Sequence, residues 1–195
     1  ESNAVTITVN LNEVNDAPSF TALGNQTINE DDGVQNEPGW ITNFNPGPVN
    51  ESAQGVQDYN VNVIEGEDLL AMNTTVDVTN AGDLTYEPAA DSNGVVTFEV
   101  SVQDDGGTGN GGVNTSSPTK SFTITINPVN DAPSFTVTST TINRDENDGT
   151  GVPVSLIQTI NFGPGEGSQS VDDYIIENIT STISNDAPTL LDVQP

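Results

Sequence analysis

Three stretches of the chain alternate apolar and polar residues. In AVTITVNL (4–11), Val5, Ile7, Val9 and Leu11 share one side and Thr6, Thr8 and Asn10 the other. VVTFEVSV (95–102) groups Val96, Phe98, Val100 and Val102, and SFTITIN (121–127) groups Phe122, Ile124 and Ile126. A period of two rich in β-branched residues describes strands with one buried face. YNVNVI (59–64) is a shorter example, and LTYEP (84–88) reads as a brief strand stopped by Pro88. No helical period is sustained anywhere, so the pattern predicts an all-β chain.

The heptapeptide VNDAPSF occurs at 14–20 and again at 129–135, an offset of 115 residues. Between the copies the pattern predicts seven strands, near 19–28, 40–44, 58–64, 72–78, 83–87, 95–103 and 120–127, separated by Gly, Pro, Asn and Asp. That count and spacing predict tandem Greek-key β-sandwich repeats of immunoglobulin type, with a period of about 115 residues. Trp40, Phe20, Phe44, Tyr59, Tyr86 and Phe98 are the expected core.

Other segments recur too: TINEDDG (27–33) with TINRDENDG (141–149), NFNPGPVNE (43–51) with NFGPGE (161–166), and VQDY (56–59) with VDDY (171–174). Glu51 to Glu166 and Tyr59 to Tyr174 keep the 115-residue offset. Residues 1–13 then read as the last strand of a preceding repeat, 14–130 as a complete sandwich, and 131–195 as the first half of a following repeat. That half lacks counterparts of LTYEP, VVTFEVSV and SFTITIN and is expected to be unstable alone. The NDAP at 185–188 reads as an ordinary turn.

Charge narrows the chemistry. There are 29 acidic residues against two basic ones, Lys120 and Arg144, for a net charge of −27, with no His and no Cys. Such a chain repels nucleic acid phosphates, and no apolar run reaches the length of a membrane span. Any metal must be held by oxygen, which favours a hard cation such as calcium. Paired carboxylates can hydrolyse glycosides, but here they lie in loops, with only Trp40 as a sugar platform, and no enzyme activity is expected. GGTGNGGVN (106–114) lacks the Lys of a phosphate loop and reads as a flexible hairpin.

VTFEVSVQDDGG followed by SFTITINPVNDAPSF resembles the cadherin pattern of a strand, an Asp-Gly turn, a final strand and an Asn-Asp linker before Pro. LTYEPAADSNGVVTFEVSVQDDGGTGNGGVN is similar to the cadherin-like repeats of large secreted bacterial adhesins of the RTX type. The resemblance covers 14–130 and the first half of the next repeat. It implies an extracellular or cell-surface protein of biofilm type, whose repeats act as calcium-stiffened extenders and whose first partners are neighbouring repeats of the same chain. Two alternatives stand beside it. One is a filament of identical subunits in which strand 4–11 is donated to an open sheet edge. The other is a module for cell adhesion through surface glycans.

In such a sandwich the loops gather at two poles. Glu30, Asp31, Glu87 and Asp91 are expected to converge on Asn127, Asn130 and Asp131 of the outgoing linker, with Glu166, Asp172 and Asp173 approaching from the next repeat. Glu51, Asp104 and Asp105 are expected at the incoming pole with Asn15 and Asp16. Cadherin linkers carry an acidic residue two before the Asn; Glu13 fills that place in the first linker, and Pro128 replaces it in the second. The calcium (Ca2+) ligand set is drawn from these residues.

Overall fold

The computed structural model describes residues 3–143, 155–163 and 168–175. In chain order the strands are β1 (Ser19–Ala22), β2 (Gln26–Asn29), β3 (Gln35–Glu37), β4 (Ile41–Asn45), β5 (Val56–Glu65), β6 (Asp77–Val78), β7 (Leu84–Tyr86), β8 (Gly94–Asp104), β9 (Lys120–Asn127), β10 (Ser134–Val137) and β11 (Ile157–Asn161). The described helical structure is confined to three short 3₁₀ turns, at Val49–Glu51, Glu67–Leu69 and Gly109–Gly111.

β8 shows why the pattern becomes structure. Val96, Phe98, Val100 and Val102 are all completely buried, while Val95 on the opposite face is half exposed. Burying each such side chain contributes roughly 1.5–3 kcal/mol. β8 sits inside a four-stranded sheet of order β2-β9-β8-β5, in which β2 runs parallel to β9 and the other pairs are antiparallel. A three-stranded sheet, β3-β7-β6, and the two-stranded β1-β4 ribbon supply the facing residues. The Ile41 amide donates to the Gly82 carbonyl (2.8 Å), tying β4 to the turn before β7. Val78, Leu84 and Tyr86 from one side join Val96, Phe98, Ile124 and Ile126 from the other in a single core. The result is an all-β, sandwich-like domain.

Trp40 stands at the centre, fully buried, with its ring 4.7 Å edge-on from Phe122 and 5.9 Å from Phe98. Its indole N–H donates to the Gly24 carbonyl (2.9 Å), as a buried indole requires. It therefore offers no face to a sugar. Phe20, Tyr59, Tyr86 and Phe98 are buried as expected, whereas Phe44 is only partly covered.

Some expected elements differ. The run 19–28 is two strands, because Gly24 at φ +105° turns the chain so that β1 pairs with β4 while β2 joins β9 in the other sheet. Within 72–78 only Asp77–Val78 pairs: Asn73 is left-handed (φ 64°) and Thr74 Oγ1 donates to the Ala71 carbonyl (2.6 Å), making a turn. β3 (QNE) has no apolar alternation to announce it, and is held by its register with Tyr86, Thr85 and Leu84. AVTITVNL forms no strand; Val5, Ile7, Val9 and Leu11 are 76 to 90% exposed because no described sheet pairs with them.

Beyond the second VNDAPSF the structure repeats itself. β10 pairs with β11 as β1 does with β4, Ser134 opposite Asn161 as Ser19 is opposite Asn45, with a register shift one pair before the end in both. Phe135 meets Tyr174 edge-on at 6.3 Å, as Phe20 meets Tyr59 at 6.0 Å. Leu156 accepts from the Thr138 amide (2.7 Å) where Trp40 accepts from Leu23 (2.8 Å). The NDAP at 185–188 and most of TINRDENDG lie outside the described residues.

Tyr86 carries a hydroxyl buried without a hydrogen-bond partner. Burial, then the charges of Glu37 and Asp32, push its pKa up from 10.0 to about 12. A folded pKa above the unfolded one gives stability that is intact below the unfolded value and lost as pH rises through the folded one. Urea denaturation should therefore show stability declining between the pKa values of 10.0 and about 12. Tyr86→Phe should flatten that decline and raise stability at neutral pH by about 1 kcal/mol, since it removes an unsatisfied group.

Candidate metal centres

Glu30 follows β2 directly and is 2% exposed. Both its oxygens are occupied: Oε1 accepts from the Val129 amide (2.7 Å) and Oε2 from Asn93 Nδ2 (3.1 Å). Its own amide donates to the Asn127 carbonyl (3.1 Å). Glu30 thus clamps the outgoing linker to the domain through neutral donors.

Next to this clamp, Asp31, Asp91 and Asp131 bring one carboxylate oxygen each to within 4.8 Å of the others. Asp31 lies in the turn after β2, Asp91 in a left-handed turn (φ 56°) before β8, and Asp131 in the linker between β9 and β10. Two like charges at such a distance repel by about 1 kcal/mol in water and more where screening is weaker. Glu87, with Glu30 and Asp31, lines an adjoining cavity of about 280 Å³. All-oxygen carboxylate sets of this kind suit calcium.

The other members of the outgoing set fall differently. Asn127 contributes its carbonyl to Glu30. Asn130 Oδ1 accepts from Gln169 Nε2 (2.9 Å), and its Nδ2 donates to the Asp131 carbonyl (3.0 Å). Asp172 and Asp173 are exposed and outside the triad, Asp173 Oδ1 accepting from the Tyr174 amide (2.7 Å). Glu166 lies outside the described residues.

At the opposite end of β8 the incoming set gathers. Asn15 Nδ2 donates to Asp104 Oδ1 (3.0 Å), and the Asp16 amide to Glu51 Oε1 (2.9 Å). Asp105 Oδ1 caps the Gly55 amide (3.0 Å) and stays exposed. Glu13 lines a cavity of about 150 Å³ together with Asn15, Glu51 and Gln54.

Gln54 is the residue sequence reasoning missed. Its signal was present: Gln54 and Gln169 keep the offset of Glu51 and Glu166, and Gln169 contacts Asn130, the counterpart of Asn15.

No protein-family model, curated protein or solved structure matches this chain. Among the described residues no helix is long and apolar enough to cross a membrane.

Glu30→Ala should strand the Val129 amide and the Asn93 side chain at a cost of about 1–3 kcal/mol in urea denaturation. Hydrogen exchange at Val129 should accelerate. Glu30→Gln, which keeps one acceptor, should show a smaller version of both effects.

Proposed function

We propose that the chain is a calcium-stiffened structural extender, a cadherin-like Greek-key repeat whose joint to the next repeat is set by metal bound between Asp31, Asp91 and Asp131. The reading is carried by one observation: two carboxylates of the domain meet a third from the outgoing linker within 4.8 Å. An ion there restrains the linker angle, and its removal restores repulsion among the three. Glu30 supports the reading by anchoring Val129, which leaves only a short stretch of linker for the ion to immobilise. A site with Kd of ~10⁻⁴ M, bathed in free calcium at about 100 times Kd, gains about 2.7 kcal/mol. Extracellular surroundings supply that calcium, and the extender would hold a more distant binding region away from the cell surface.

A second reading, a filament subunit, is favoured by the bare row of Val5, Ile7, Val9 and Leu11. A segment with strand-like alternation that no described sheet pairs is suited to joining the sheet edge of an identical subunit.

Small-angle X-ray scattering in millimolar calcium should give a longer, stiffer particle than in chelator. Asp31→Asn with Asp91→Asn should make the two profiles coincide; coincidence in the unmodified chain would defeat the extender reading. Sedimentation velocity separates the alternatives, because an extender stays monomeric and a strand donor polymerises.

A further inference from the structure

The dipeptide Asn-Gly occurs twice in the chain, at 93–94 and at 110–111. Asparagine is among the chemically labile side chains. It is most labile before glycine, which has no Cβ to keep its own amide nitrogen away from the asparagine side chain. Asn93 is exposed, and Gly94 makes the first pair of β8, opposite Ile126. The end pair of a ladder opens most readily. Asn110 is exposed as well, in the short 3₁₀ turn of the Gly-rich loop.

What its side chain holds sets Asn93 apart. Nδ2 donates to Glu30 Oε2 (3.1 Å), while Glu30 Oε1 holds the Val129 amide (2.7 Å). Glu30 is 2% exposed, so the Asn93 amide reaches from the surface to a buried carboxylate. Each residue of the dipeptide is needed for its own reason. Position 93 supplies a neutral donor to an acceptor-only group. Position 94 stands at φ +149°, where side chains are strained, and a Cβ there would lie 2.8 Å from Leu69 Cδ1. Clamp and backbone together therefore install a labile step where the exit linker is held. Among the described residues, Asn110 Nδ2 reaches only the Glu13 carbonyl (3.5 Å) and takes no part in the clamp.

We infer that Asn93 is a site of spontaneous deamidation, and that its conversion releases the exit linker from the domain. The Gly94 nitrogen attacks Asn93 Cγ, and the new C–N bond closes a succinimide ring. The Cγ–Nδ2 bond breaks, and ammonia leaves carrying the proton that Gly94 gave up. Water then adds to either ring carbonyl, giving aspartate or isoaspartate at position 93. Aspartate sets an acceptor where a donor had been, so a buried carboxylate loses its partner and meets a like charge. Isoaspartate also lengthens the backbone by a methylene just before β8 and draws the side chain off Glu30. The nitrogen is lost, so neither product reverts. The hold on Val129 thus has a chemical lifetime, and the linker loosens as the chain ages. This rests on the geometry around Glu30 and stands whether or not the aspartate triad binds metal.

The test stores the full chain at mildly alkaline pH. Peptide mapping by mass spectrometry, with isoaspartyl methyltransferase labelling, follows both Asn-Gly steps, and hydrogen exchange at the Val129 amide is read on the same samples. Conversion at Asn93 should rise with storage, and converted molecules should exchange Val129 about ten-fold faster or more. Fresh Asn93→Asp should reproduce that acceleration, and Asn110→Asp should not. Asn93→Gln closes such a ring far more slowly and still offers an amide donor, so its Val129 rate should hold through storage. Storage that converts Asn110 and leaves Asn93 intact overturns the proposal. So does Asn93→Asp with Val129 exchanging at the original rate. Should Asn93→Asp not fold, the stored unmutated chain decides alone, and unchanged Val129 exchange in its converted molecules rejects the release.

Discussion

Acidic side chains in this protein have almost no cationic side chains to answer them, and that imbalance governs both ends of the domain. With 29 acids and two basic residues, a carboxylate taken out of water must be met by backbone amides, side-chain amides or ions. Glu30 is fully met by the first two, through Val129 and Asn93. Glu51 and Asp104 are met by halves, one oxygen each. At the exit Asp31 and Asp91 avoid the problem by staying in contact with water, while Asp131 is part-buried, and the three crowd one another. The same composition thus produces a locked carboxylate, a half-satisfied pair and an open cluster, graded by burial.

The apolar core is what allows this. On their core face β8 and β9 bury Val96, Phe98, Val100, Val102, Ile124 and Ile126 with no carboxylate among them, so the buried acids fall at or beyond the strand ends. Lys120 is placed where it serves the sandwich rather than the poles, on the Phe20 carbonyl and 4.7 Å from that ring's centre.

Much of the fold was legible because alternation reports a buried face directly, as in β8, β9 and β5. The gathering of acids at two poles followed from strand count and chain direction, and Asp31, Asp91 and Asp131 do meet. What stayed hidden has physical causes. β3 is stabilised by backbone pairing and leaves no apolar trace. The break at Gly24 depends on a sheet change that periodicity does not encode. AVTITVNL reads as a strand because a pattern records the capacity to pair and not the presence of a partner. Glu30, counted among metal ligands, also clamps the linker, a role that only its two hydrogen-bonded oxygens reveal. Gln54 escaped because glutamine carries no charge to draw attention to it.

The parallel pairing of β2 with β9 has a mechanical consequence. Gln26, Thr27, Ile28 and Asn29 lie beside Ile124, Thr125, Ile126 and Asn127, and these two strands sit close to where the chain enters and leaves. Tension drawn along the molecule pulls them past one another lengthwise, so their hydrogen bonds are loaded in shear and share the force at the same instant. An antiparallel pair pulled from its open end would instead surrender its bonds singly, like a zip. The strand arrangement that closes the sandwich is also the one that resists being drawn out.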